Sequence, residues 1–389
     1  MIQLDSGPNK PSRFDLGDGF FVGPQISIWP SSNLVRIQGA GQFRMPTAVL
    51  PNALSGDDNE QIQWTRAPHC VWKGEMAFDG RTAILTDGVD ITAALVNRGS
   101  PWALHMTGDR LEVVLLDDVQ MRDAKSMRGA AIQQVTLLQS PTQPVIVRAE
   151  RRGVDGALET RHVLHAPKLT LLPSGGGKLV GAGPGWYRSW MYAESKGPFS
   201  SRDKDSDDPQ KESTLMGLHL VYHAALKGDL ANQTLDFLRG VRVGVRPVSD
   251  WQEVVDAEQM DSISRGDSTV DCDTLHVEVT PGLRNQPKIP GLKMPWEMQA
   301  RGGVVFRTRS ENGLLEGTAS RAAYSSHKDL FMIEGAPNRG AVIRQVKANG
   351  QPGPEAVVTE ATIRPRTLEV ISSKVIGFSV GTLPSQDKR

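Results

Sequence analysis

The segment Phe78–Ile91 lies over Leu230–Val243 without a gap. Thr82 falls on Thr234, Leu85 on Phe237, Gly88-Val89 on Gly240-Val241 and Ile91 on Val243. Downstream, Asp109–Leu115 falls on Asp273–Val279, so that Leu111, Val113 and Leu115 meet Leu275, Val277 and Val279. The matched apolar positions share one face of an alternating run, while the opposite face drifts, as Ile84 against Asp236 does. A third element closes each copy: Leu169–Ser174 followed by Leu179–Pro184 is echoed by Ala323–Ser326 with Leu330–Gly335, and by Ile26–Ser31 with Val35–Gly41. Repetition of short strands is a strong constraint, because each copy buries one face only and must stack on the next to close a core.

The rest of the chain agrees with that constraint. Short alternating runs, such as Val241–Arg246, end every ten residues or so at Gly, Pro, Asp or Asn. Gly 39 and Pro 25 among 389 residues imply many turns and few helices. Two stretches read as short helices, Ser249–Ser262 and Leu215–Ala225. Glu194–Ser213 reads as a polar insert, Gln286–Pro295 as a proline-rich break, and the tail from Thr382 as frayed. Glycines after outgoing strands (Gly88, Gly183, Gly240 and Gly335) permit sharp corners where a Cβ would clash. Lys plus Arg and Asp plus Glu both number 44, and this neutrality argues against a nucleic-acid partner. Cys70 and Cys272 are too few and too far apart for a disulfide scaffold or a CxxC metal site, and are expected to be free. No 18-residue apolar run occurs, and Met1–Pro8 lacks the pattern of a secretory signal.

The repeat frame divides the chain into 1–50, the closing element of a preceding unit; 51–192, a first unit; 193–213, a linker; 214–345, a second unit; and 346–389, terminal strands and tail. Stacked in this way, the first unit turns Leu85, Val89, Ile91, Leu111, Val113 and Leu115 to one interior, and the second turns Phe237, Val241, Val243, Leu275, Val277 and Val279. That interior reads either as a closed core or as a trough wide enough for an acyl chain. The strand succession Trp72–Ala83 through Asp87-Gly88-Val89, then Gly108–Val113 and a Gly-Ala-Gly hairpin, resembles the OstA/LptA-like proteins of lipopolysaccharide transport. A second copy runs from Leu314–Ala319 through Lys328–Leu330 to Ile333-Glu334-Gly335. The resemblance implies an all-β fold of tandem β-jellyroll ("β-taco") repeats stacked into an elongated folded sheet with few short helices. It also implies a hydrophobic trough for lipopolysaccharide or a related glycolipid, no catalytic residues and no cofactor. Partners would be other β-jellyroll transport proteins, or a second copy stacked edge to edge, in the periplasm or cell envelope.

Motifs for other chemistry are incomplete. Gly181–Trp186 is glycine-rich but no helix follows to cradle phosphate. Ser174–Leu179 lacks the spacing of a Walker loop. Asp203, Asp205 and Asp207 have calcium-loop spacing, yet Asp208 and Thr214 stand where Gly and Glu are needed. His162 with His165, and His219 with His223, lack completing metal ligands. Trp186, Tyr187, Trp190 and Tyr192 form an aromatic run suited to sugar stacking, to a lipid interface or to capping a unit. The expectation is therefore non-catalytic binding and conduction of an amphipathic glycolipid. The alternatives are a structural β-repeat scaffold with a closed core and a right-handed β-helix enzyme acting on polysaccharide. Because the hairpin Ile26–Gly41 lacks the strands that precede its counterparts, and Phe20-Phe21-Val22 reads as unshielded, the chain is expected to be the C-terminal part of a longer exported protein or to have a misassigned start.

Overall fold

A computed structural model of the chain describes residues 1–6, 10–16, 19–44, 63–97, 99–120, 122, 131–153, 155–173, 177–192, 214–279, 296–326, 328, 330–364 and 369–379. The insert 193–213 with its spaced aspartates, the break at Gln286–Pro295 and the tail from Thr382 lie outside those residues. The protein is all-β, every described strand pairing is antiparallel, and a single 3-10 turn, Ala257–Gln259, is the helical content of the described residues. A right-handed β-helix is built of parallel rungs, so that alternative is not the architecture.

The described residues form two compact units, 1–187 with 225–233, and 188–224 with 234–389. In chain order the strands of the first are β1 (Ile2–Asp5), β2 (Ser12–Leu16), β3 (Gly19–Gly23), β4 (Gln25–Trp29), β5 (Leu34–Gln38) and β6 (Gly41–Arg44). They continue as β7 (Gln63–Trp72), β8 (Met76–Phe78), β9 (Thr82–Leu85), β10 (Val89–Asn97), β11 (Ser100–Gly108) and β12 (Arg110–Leu115). Next come β13 (Ile132–Leu138), β14 (Ile146–Arg152), β15 (Leu158–His165), β16 (Lys168–Leu172) and β17 (Lys178–Ala182). Strand β18 (Gly185–Tyr192) carries the chain into the second unit with β19 (Leu215–Tyr222), and β20 (Ala225–Asp229) returns to the first.

The strands of the first unit sort into two ladders. One runs β1–β4–β5–β8–β9–β12–β13–β16–β17–β20. The other runs β2–β3–β6–β7–β10–β11–β14–β15. The chain makes a hairpin in one ladder, crosses to the other and makes the next hairpin there. A crossing needs a reversal within two residues, and Asp87 and Gly88 supply it with φ of 63° and 86°. The ladders meet along a crease filled by one apolar residue per strand. Across the first ladder these are Ile26, Ile37, Met76, Leu85, Leu111, Leu137 and Leu169, none more than 7% exposed. From the second, Trp72 is fully buried and its indole N–H donates to the Gly39 carbonyl at 3.2 Å. A Cβ on Gly41 would lie 2.5 Å from that indole, so the glycine makes its room.

The hairpin Ile26–Gly41 is covered by pairing of β1 with β4. Phe21 stacks on Phe43 with centroids 4.6 Å apart, Arg13 lies 4.5 Å over the Phe20 ring, and Val22 is buried. These aromatics are packed, contrary to the expectation from their sequence.

In the second unit, whose later strands are β21 (Thr234–Pro247), β22 (Ser268–Val279), β23 (Trp296–Ser310), β24 (Gly313–Ser325), β25 (Leu330–Glu334), β26 (Ala341–Lys347), β27 (Pro352–Arg364) and β28 (Glu369–Ser379), long strands run through the crease unbroken. The register shifts where they bend: between Leu238 and Val241 in β21, and between Arg301 and Val304 in β23. Arg239-Gly240 and Gly302-Gly303 both have positive φ there. The Asp87-Gly88 crossing thus reappears as a bulge inside a strand.

Two helix expectations are corrected. Leu215–Tyr222 is a strand covered on both faces, with Met216, Leu220 and Tyr222 on one and Gly217 and His219 on the other. Double burial erases the alternation by which a strand is recognised. Ser249–Ser262 is a strap of turns. Asp250 accepts from the Gln252 and Glu253 N–H groups at 2.7 and 2.9 Å, and Asp256 from Glu258 at 3.1 Å, so that the segment restarts at a second cap in its middle and closes as separate turns. Its carbonyls go to Arg242 (Ala257, 2.8 Å) and Arg307 (Asp261, 2.7 Å). The strap buries Val255, Ala257 and Met260 against glycines: a Cβ on Gly217 would lie 2.7 Å from Val255, and one on Gly244 would lie 3.0 Å from the Ala257 Cα. Gly244→Val is therefore expected to lift the strap, costing about 1–3 kcal/mol as overpacking does. Hydrogen exchange should accelerate first at residues 248–263; unchanged protection there would contradict this packing.

Candidate functional site

The candidate site is the interior of the first unit, built outward from the crease. One step from it along the first ladder lie Phe78, Ala83, Val113, Val135, Leu171 and Leu179, joined by register pairs. All six are apolar and only half-buried. Opposite, in the second ladder, Met106, Val147 and Leu164 are likewise apolar and half-buried, with buried Ile91 and Cys70 beside them. Exposure rises along individual strands, from Leu85 at 3% to half-buried Ala83 and from Leu111 at 2% to half-buried Val113 and Leu115. The crease residues are buried, and those one step out from it stay half-buried while packing against them. Six strands from β8 to β17, at ~4.8 Å each, make this apolar lining about 24 Å long.

Of the residues singled out from sequence, Leu85, Val89, Ile91 and Leu111 belong to the sealed crease region, and Val113 and Leu115 lie higher on the wall. Their counterparts divide in the same way: Phe237, Val241, Val243 and Leu275 are buried, and Val277 and Val279 are half-buried. The structure adds wall residues that the repeat alignment passes over, namely Met106, Val135, Val147 and Leu164. The alternation of β13, β14 and β15 holds the signal for three of them, but the second copy offers no aligned partner.

Farther out on the second ladder stands an aromatic row. Trp102 stacks on His162 and His162 on Tyr187, each at 5.9 Å, and Tyr187 Oη is hydrogen-bonded to His162 Nδ1 at 2.7 Å. The aromatic run of β18 does not gather into one cluster. Trp186 stacks on His165 at 5.5 Å, Trp190 donates its indole N–H to the Glu253 carbonyl at 2.8 Å, and Tyr192 meets Trp251 edge-on. His162 and His165, three apart on one strand, face opposite sides. His219 Nδ1 accepts the Ala257 N–H at 3.0 Å beneath the strap, and His223 is bonded to the Gly240 carbonyl. No cluster of three metal-ligating side chains occurs among the described residues. Cys70 and Cys272 are buried and unbridged, and burial pushes both thiols up to about 12.

Burial lowers His162 to about 4, with the Arg151 charge adding to the effect. Burial lowers His219 to about 4 as well, assisted by Arg188 and opposed by Asp256. Comparison with protein-family models and with curated proteins finds no match.

Both imidazoles are neutral in the fold, whereas the unfolded chain takes up protons near pH 6.5. Their contribution is present above that pH and is lost as pH falls toward 4. The melting temperature should decline over that window, with His219 accounting for at most about 3 kcal/mol. His219→Asn should flatten the decline, and an equal slope in the variant would refute the assignment.

Proposed function

We propose that the groove of the first unit holds the acyl chains of an amphipathic glycolipid of the lipopolysaccharide kind, without catalysis. The observation that carries this reading is the row of apolar residues on each ladder that, one step out from the buried crease, stay only half-buried. A core with no ligand to receive would gain by burying Phe78, Val113, Met106 and Leu164 completely, since each square ångström of apolar surface left wet forgoes about 25 cal/mol. Each acyl methylene entering the groove would recover roughly 0.8 kcal/mol. The lining is nearly uniform along its length, which suits sliding: a deep subsite would trap the cargo. The ladder order, with hairpins alternating between two facing sheets, agrees with the resemblance to the OstA/LptA-like proteins. On this reading the protein works in the periplasm or cell envelope.

The edges of the fold support a partner of the same build. Val370, Ile371, Val375 and Ile376 on β28 are 45–62% exposed on a strand that, among the described residues, is paired on one side, to β27. An unpaired, apolar strand edge is a template for another strand, so another β-jellyroll transport protein or a second copy fits there by edge-to-edge stacking.

A closed-core scaffold is the second reading, favoured by the complete burial of the crease. Titration of the purified protein with a fluorescent fatty-acyl probe and with lipopolysaccharide separates the two. Stoichiometric, saturable binding is expected, and Val113→Asp, half-buried on the wall, should abolish it while the fold persists. Binding unaltered in that variant, or no binding by the unmodified protein, would leave the scaffold standing.

A further inference from the structure

The outer face of the second unit carries a cavity of about 540 Å³ that the groove does not use. It lies over β21–β25 on the side away from the crease residues. Its charges form an unusual pattern. Arg301 is directly opposite Arg321, and Glu278 is directly opposite Glu297. Like charges facing each other across a sheet are destabilising, and here one basic pair and one acidic pair line the same cavity. Neighbours offset them in part, and His276 Nε2 lies 3.9 Å from the Glu278 carboxylate. Arg321 Nη1 donates to both Glu334 carboxylate oxygens at 3.0 and 3.2 Å, and the Ser325 hydroxyl donates to Glu297 at 3.4 Å. Arg301 is exposed and makes no ion pair among the described residues.

Between the pairs the floor changes character. His276 is directly opposite Gln299, Gln299 opposite Ala323, and Ala323 opposite Met332. His276 is held by Asp236 through its Nδ1 at 2.7 Å. The small Ala323 leaves the hollow, and the Gln299 amide can both donate and accept within it. Arg301 and Glu297 are four residues apart on one strand, which places the charged ends about 13 Å apart. Arg301 and Arg321 thus mark a basic end of the cavity, and Glu278 and Glu297 an acidic end. The site therefore suits a ligand that carries opposite charges at its two ends.

We propose that this cavity binds a short linear peptide of about four residues by its two termini. The C-terminal carboxylate lies between Arg301 and Arg321, and the N-terminal ammonium between Glu278 and Glu297. Four extended residues span at most about 13–14 Å, matching the separation of the pairs. The peptide backbone meets Gln299, and small apolar side chains rest on Ala323 and Met332. A single phosphate or a single amine would meet one pair only. The site is independent of the groove and of any lipid.

The test is calorimetric titration of the full chain with tetra-alanine, its C-terminal amide and its N-acetyl form. Free tetra-alanine should bind saturably, and each blocked peptide should bind at least tenfold more weakly. Arg301→Gln should weaken the free peptide about tenfold and cause no further loss for the amide. Glu297→Gln should act in the same way toward the N-acetyl form. No saturable binding in the millimolar range, equal affinity for free and blocked peptides, or binding of the free peptide by both variants as tight as by the unmodified protein would each overturn the proposal. Because two arms alter the ligand and leave the protein intact, misfolding of a variant cannot mimic the result.

Discussion

A sheet can be folded over on itself only where the backbone can turn sharply without losing its pairing on either side. In this protein that demand falls on a few left-handed pairs. Asp87-Gly88, Arg239-Gly240 and Gly302-Gly303 place two successive residues at positive φ beside the crease. Such a conformation costs an ordinary side chain of order 1 kcal/mol or more. It is sustained by what lies on either side: Leu85 and Val89 in one copy, Phe237 and Val241 in the other, each no more than 3% exposed. Bend and crease depend on each other. Without the bend the apolar rows could not face one another, and without their burial nothing would hold the bend.

The two units meet this demand in different ways. In the first, hairpins of short strands alternate between ladders, and the crease is a row of separate crossings. In the second, β21 to β24 pass through and the crease is a row of bulges. The first solution leaves walls of uniform apolar character. The second carries additional load on its outside, where the strap around Met260 covers one face and the charged cavity occupies another. Arg242 and Arg307 serve the strap by their hydrogen bonds to its carbonyls, so basic residues in this unit do structural service that composition does not reveal.

Much of the fold was legible in the sequence because it is periodic. The alignment of Leu85 with Phe237 and of Gly88 with Gly240 found the crease itself, since burial and positive φ both restrict the residues allowed. The facing of Leu111, Val113 and Leu115 followed from alternation alone. Legibility failed where a second contact overrode the local pattern. Leu215–Tyr222 lost its alternation because the strap covers its outer face. Ser249–Ser262 has helical spacing of apolar residues, but Asp250 and Asp256 hold its N–H groups in turns. The wall residues Val135, Val147 and Leu164 went unmarked because marking rested on paired copies. The cavity over Arg301 and Glu278 was beyond reach, because it arises from like charges that only strand register brings face to face.

The alternation of hairpins between ladders has one more consequence. Each strand of the first unit finds its partners within a few strands of itself in the chain, so adding or deleting a pair of hairpins extends or shortens both ladders together. Such a change leaves the bend, the wall residues and the distance between walls as they are. Width is thereby fixed by local chemistry and length by copy number, two quantities that mutation can alter separately. A lineage could lengthen this lining by duplication without redesigning a single contact, and the drift of the outer faces between copies is what that manner of growth would leave behind.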